Sequence, residues 1–187
     1  MKTMLGVLAT IALSAWLNLA SATSIALALA PSSATFTAGS TINVNVNVSG
    51  LPLGGPPSIG AFDLTVRFDA SLLAPQTVSF GPFLGNPLAF EALTGFEVSM
   101  PSLVELAEVS LLSPADLDAL QPASFTLATL SFLATANGTS TFRFIGDERV
   151  DDAFGNKFTI PEPSSLPLLA WGIIALVGCC RRGGGNR

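Results

Sequence analysis

Ile42-Asn43-Val44-Asn45-Val46-Asn47-Val48 decides the fold class. Apolar and polar residues alternate strictly, and every apolar position is β-branched, the pattern of a strand with one buried face. The same period of two appears upstream, where Ile25, Leu27 and Leu29 alternate with small residues. It appears again downstream, where Phe62, Leu64, Val66 and Phe68 alternate with Asp63, Thr65 and Arg67. Further strands are predicted over 95–100, 103–112, 124–136, 139–145 and 154–160. Between Leu127 and Leu130 the buried phase slips by one residue, which predicts a β-bulge. Asn137-Gly138 predicts a tight hairpin turn between the strands on either side of it. One helix interrupts the strands: Ser113 supplies an N-cap hydroxyl, Pro114 the first helical position and Asp116 a first-turn acid. Asp116 and Asp118 there suit the positive end of the helix dipole. Eight or nine short strands joined by Gly, Pro and Asn turns predict an all-β sandwich.

The chain has 187 residues, enough for one domain, with 11% charged and 49% apolar residues and a net charge of −5. Between Thr23 and Ile160 twelve acids face only Arg67, Arg143, Arg149 and Lys157, so this body is strongly acidic. A nucleic-acid partner is excluded, because binding phosphates needs a basic patch. The chain has no His and no Tyr, and both Trp and both Cys fall in the end segments. The body therefore has no imidazole base, no thiol nucleophile and no soft-metal ligand, and its composition calls for no cofactor. Serine-triad, papain-like and zinc chemistry are excluded by residue content. Carboxylate-only glycoside hydrolysis remains, with Glu91, Glu97, Glu105 and Glu108 as candidates. Asp147, Asp151 and Asp152 are a weak candidate set for calcium, since they lack the spacing and glycine of a helix–loop–helix calcium site.

The two ends are read as targeting segments. Lys2, the apolar run Met4–Leu19 and the small-x-small site Ala20-Ser21-Ala22 predict a signal peptide over 1–22, cleaved near Thr23. The body is then 23–160. At the other end, Pro161-Glu162-Pro163 precedes an apolar stretch over 166–180 and a basic tail over 181–187 that begins Arg181-Arg182. As a helix the stretch is about 22 Å long, short of the ~30 Å hydrocarbon core. It can span if the arginines snorkel and the bilayer thins. Arginines directly after the span place the C-terminus in the cytoplasm, which puts the body outside, in agreement with the signal peptide. Cys179 and Cys180 at that boundary are either acylation sites or small residues closing a helix.

The order of tripeptide, apolar helix and arginines over 161–187 resembles the PEP-CTERM sorting domain of Gram-negative bacteria. The resemblance implies export through the inner membrane and recognition of the tail by an exosortase, a membrane protease with a cysteine nucleophile. It also implies delivery to the cell surface or extracellular matrix. Pro161 and Pro163 suit that role, since two prolines hold the motif extended for a protease to grip.

A second resemblance covers roughly residues 24–146. Ile59-Gly60-Ala61-Phe62-Asp63-Leu64-Thr65-Val66-Arg67-Phe68-Asp69, followed by Leu72-Leu73, resembles the third-strand signature of cohesin-like domains. Phe125-Thr126-Leu127-Ala128-Thr129-Leu130-Ser131-Phe132, running on to Asn137-Gly138, resembles their seventh strand. The resemblance implies a nine-stranded jelly-roll related to carbohydrate-binding modules, with a dockerin-like partner bound on one sheet face. Asp63, Thr65 and Arg67 are the residues it places on that face. Two functions follow as alternatives: a non-catalytic surface or matrix protein that binds another protein, and a module that binds polysaccharide directly. The second is weakened by the lack of Trp or Tyr in the body, because sugars stack on such rings.

Overall fold

The computed structural model describes residues 24–160. The expected signal peptide with its Ala20–Ala22 site, the motif Pro161–Pro163, the apolar stretch over 166–180, Cys179, Cys180 and the Arg181-Arg182 tail lie outside the described residues. Among the described residues no helix is long and apolar enough to cross a membrane.

Alternation gives the long strands. In order they are β1 (Ala26–Pro31), β2 (Thr35–Phe36), β3 (Thr41–Ser49), β4 (Ile59–Arg67), β5 (Leu73–Phe80), β6 (Ala92–Met100), β7 (Leu103–Ser110), helix α1 (Pro114–Leu120), β8 (Ser124–Ala134), β9 (Gly138–Thr139), β10 (Arg143–Phe144) and β11 (Arg149–Asp152). Two antiparallel sheets form. The first has the order β1-β3-β8-β5; the second has the order β10-β4-β7-β6, with β11 also pairing β4. Strands β2 and β9 make a small separate ribbon. The result is a jelly-roll β-sandwich, the expected class.

The core lies between the two sheets. Val44, Val46 and Val48 of β3 face inward with Leu130 and Phe132 of β8, against Leu64 and Val66 of β4 and Val104 and Leu106 of β7. Rings span the gap: Phe68 and Phe132 have centroids 5.1 Å apart, tilted at 52°. Such a pair adds about 0.5–1.5 kcal/mol beyond its area burial. Not every Phe is core filling. Phe90 and Phe154 are exposed, at 85% and 70%.

The predicted bulge is present. Val46 pairs with Ala128 and Asn47 with Thr126, so Leu127 is the extra residue of β8. Gly81 lies against this bulge, donating its N–H to the Leu127 carbonyl at 2.7 Å. A Cβ at position 81 would collide with the Thr126 carbonyl oxygen, so only glycine fits there. Helix α1 is capped as expected: Ser113 Oγ accepts from the Asp116 N–H, and Pro114 occupies the first turn.

Three expectations are corrected. Strand β5 was not expected, because Pro75 and an unpaired Gln76 break its alternation; as an edge strand it tolerates both. Asn137-Gly138 is not a hairpin turn. After β8 the chain crosses over: Gly138 pairs with Phe36 of β2, and Asn137 Oδ1 accepts from the Ala38 N–H at 2.8 Å. The last strand is β11, not 154–160, which contributes only single bridges at Lys157 and Thr159. The charged run Arg149–Asp152 forms a strand because Val150, fully buried, anchors it to β4.

The two sheets differ in charge. Strands β1, β3, β5 and β8 hold no charged residue at all. Across their outer surface, Thr126 Oγ1 donates to Asn47 Oδ1 at 2.8 Å and Thr129 Oγ1 to Asn45 Oδ1 at 2.9 Å. The second sheet carries charges on β4, β6, β7, β10 and β11.

Candidate functional site

The outer surface of the second sheet is the candidate site. On β4 the buried residues Phe62, Leu64 and Val66 force Asp63, Thr65 and Arg67 outward, because side chains alternate across a strand. Asp63 and Arg67 are exposed and Thr65 is half-buried. All three residues therefore share one face.

Strand pairing sets their neighbours. Asp63 is opposite Ala107 on β7, which is opposite Gly95 on β6; Thr65 is opposite Glu105, which is opposite Glu97. Asp63, Gly95, Glu97, Glu105 and Ala107 line a shallow depression of about 360 Å³, with small residues in one row and acids around them. Glu97 and Glu105 are like charges directly across a strand pair, an arrangement that destabilises a sheet by a few tenths of a kcal/mol or more. Toward the other end, Arg67 is opposite Arg143 on β10. The face is thus acidic in the middle and basic at one end.

Beside these polar rows lies an apolar margin that alternation did not reveal. Strand β6 is a free edge, and from Leu93 to Met100 every residue is exposed. Leu93 (62% exposed) is opposite Val109 (47% exposed) on the outer surface. Next to them, the turn Asn86–Glu91 projects Leu88 and Phe90 into solvent. Phe90 takes a left-handed backbone conformation (φ 60°), which costs a non-glycine residue of order 1 kcal/mol. The turn is held in place: Glu91 Oε2 accepts from the Asn86 N–H at 2.9 Å, and Asn86 Oδ1 accepts from the Leu88 N–H at 3.0 Å. The signal for this margin was the apolar content of 88–100 at positions that no partner strand covers.

Of the glycosidase candidates only Glu97 and Glu105 share a concavity, the shallow depression on the outer face; Glu91 and Glu108 lie elsewhere. Glu91 is engaged in its turn, and Glu97 and Glu105 meet on the outer surface. Glu108 faces the interior, 1% exposed, with neither carboxylate oxygen hydrogen-bonded among the described residues. Burial pushes its carboxyl up to about 7. The calcium candidates are also separately occupied. Asp147 accepts from Lys157 Nζ at 2.7 Å, Asp151 pairs with Arg149 Nε at 2.7 Å, and Asp152 caps the following turn through the Phe154 and Asn156 N–H groups. Lys157 holds the Asp147 carboxyl below its ordinary value. Among the described residues no group of three such side chains is placed to hold a metal ion.

No family model and no curated protein matches the sequence. Solved structures do. The sixth cohesin of scaffoldin B from Acetivibrio cellulolyticus, solved with a Cel5 dockerin mutant, is 17% identical with a TM-score of 0.56, covering 73% of this chain and 93% of that one. The cohesin of the Coh-OlpA-Doc918 complex from Clostridium thermocellum is 15% identical with a TM-score of 0.58, covering 73% and 92%. A type II cohesin from the cellulosome of Acetivibrio cellulolyticus is 14% identical with a TM-score of 0.58, covering 74% and 91%. The fold is that of the cohesins. Within this cohesin-like sandwich, the second sheet presents the outer face with both charge and exposed apolar surface.

Proposed function

We propose that this chain is an exported, non-catalytic binding module whose second sheet docks a protein partner on its outer face. The observation that carries this is the apolar margin formed by Leu88, Phe90, Leu93 and Val109 beside the polar row Asp63, Thr65 and Arg67. Exposed apolar side chains ringed by polar ones mark interaction surfaces, and a few such anchors supply most of the binding energy. The cohesin neighbours solved with dockerins support a protein partner of dockerin type. Electrostatic complementarity to a face with acidic centre and basic end would fix the partner's orientation.

The test uses capture from the native envelope. A partner bound through this face is expected to co-purify with the wild-type chain and with Asn45→Asp on the opposite sheet. Leu93→Asp with Val109→Asp should lose it, weakening binding by more than ~30-fold, as for loss of interface anchors. Recovery of the same partner by the double variant would refute the assignment.

Delivery is the second half of the proposal. The chain is exported by way of its signal peptide, spans the inner membrane with its C-terminus in the cytoplasm, and is released to the surface or matrix when an exosortase cuts near Pro161-Glu162-Pro163. Mass spectrometry of the mature C-terminus is expected to show loss of everything beyond that motif, and retention of Arg187 when the host's exosortase is deleted. Arg187 present in both strains would end the sorting reading without touching the binding one.

A further inference from the structure

Two of the four cations of the acidic body face each other. Arg67 and Arg143 are direct partners across β4 and β10, and both are exposed. Like charges placed opposite one another destabilise a sheet. The body holds twelve acids that could relieve them. Yet among the described residues the ion pairs within 4.0 Å are Arg149–Asp151 and Lys157–Asp147, so neither Arg67 nor Arg143 is paired. The carboxylate in the adjoining loop, Asp69, turns to its own loop and accepts from Ser71 N–H at 2.9 Å and Ser71 Oγ at 2.6 Å.

Arg67 and Arg143 both line a depression of about 420 Å³, together with Phe68, Asp69, Ser71, Ser102 and Thr141. We propose that this depression binds a carboxylated sugar unit of an acidic polysaccharide. Each guanidinium offers a planar fork of donors that matches the two oxygens of a carboxylate. Ser102 and Thr141 contribute hydroxyl groups that both donate and accept, which suits the hydroxyls of a sugar ring, while Ser71 Oγ, its proton given to Asp69, can only accept. A lone acidic side chain of a protein would satisfy the arginines and leave the Ser102 and Thr141 hydroxyls to water. The volume is at the small end of ligand pockets, fit for one ring of a polymer that continues into solvent. Phe68 is only 4% exposed and offers no stacking face, so a neutral sugar finds little here. Charge takes the place of the missing aromatic platform. Arg67 belongs both to this site and to the proposed docking face, but Leu93 and Val109 do not line the depression, so the two readings are tested by different variants.

The experiment is calorimetric titration of the full-length chain in neutral detergent with trigalacturonate, galactotriose, polyglutamate and inorganic phosphate. Trigalacturonate is expected to bind, and galactotriose is not. Arg67→Gln with Arg143→Gln should weaken trigalacturonate binding at least ~10-fold, and so should a rise from low to 0.5 M salt, which screens exposed charges. The double variant should melt no lower than wild type, because it removes a like-charge contact. Equal binding of trigalacturonate by the double variant would overturn the proposal. So would tighter binding of polyglutamate or phosphate than of trigalacturonate, or equal binding of galactotriose. These ligand comparisons are read on the wild-type chain and hold even if the variant fails to fold.

Discussion

Glu108→Gln is expected to stabilise the protein by about 3 kcal/mol at pH 8 and to flatten its stability between pH 4.5 and 7. Glu108 is on β7 in phase with Val104 and Leu106, so it points into the core between Phe62 of β4 and Thr94 of β6. Burial without a hydrogen-bond partner disfavours the charged form, which raises the carboxyl from 4.5 to about 7. Below pH 4.5 the folded and unfolded chains both hold the proton, and the group's stabilising contribution is fully present. As pH rises further, the unfolded chain releases the proton while the folded one keeps it, so stability falls. Above 7 the loss is complete. Asp69 and Asp147 shift the other way, held below 3.8 by Ser71 and Lys157, so their effect is confined to more acid solution. Urea unfolding at half-unit steps from pH 4 to 8.5 measures the profile. Parallel profiles for wild type and variant would show that Glu108 is not the group responsible.

Gln121→Leu is expected to destabilise by about 3–4 kcal/mol, lowering the melting temperature by roughly 10 °C. Gln121 follows helix α1 and is 5% exposed. Its Oε1 accepts from the Ile59 N–H at 2.7 Å, and its Nε2 donates to the Ile59 carbonyl at 2.7 Å and the Phe83 carbonyl at 3.1 Å. One side chain thus pins the start of β4 to the turn after β5. Leucine fills similar volume but leaves two buried backbone groups of Ile59 and the half-buried Phe83 carbonyl unpaired, and each buried group costs of order 1–3 kcal/mol, with incomplete additivity. Thermal melts of both proteins decide the matter; a drop below about 2 °C would mean that water replaces the lost bonds.

Periodicity made the sandwich legible wherever one face of a strand is fully buried, as in β3 and β4. It also revealed the bulge at Leu127, because an extra residue must shift the buried phase. It failed at β5, where Pro75 and Gln76 interrupt an edge strand, and at β11, which has a single buried apolar residue, Val150. Asn137-Gly138 misleads because a turn dipeptide bends the chain without saying which sheet it enters next. The row Asp63, Thr65 and Arg67 was legible from alternation and from the resemblance. Glu108 left a signal, since the period that buries Val104 and Leu106 buries it too. Its neighbour Glu105 looks identical in composition and points outward. Facing pairs such as Glu97–Glu105 and Arg67–Arg143 depend on strand register, which no single segment encodes.

The absence of charge from β1, β3, β5 and β8 makes the molecule electrically lopsided. A body whose strand charges all belong to one sheet is a dipole as well as an anion, and a dipole turns in a field. Beside any anionic surface such a body is expected to turn its Asn- and Thr-covered sheet inward, leaving the opposite surface, with its arginines and its apolar margin, open to the surroundings.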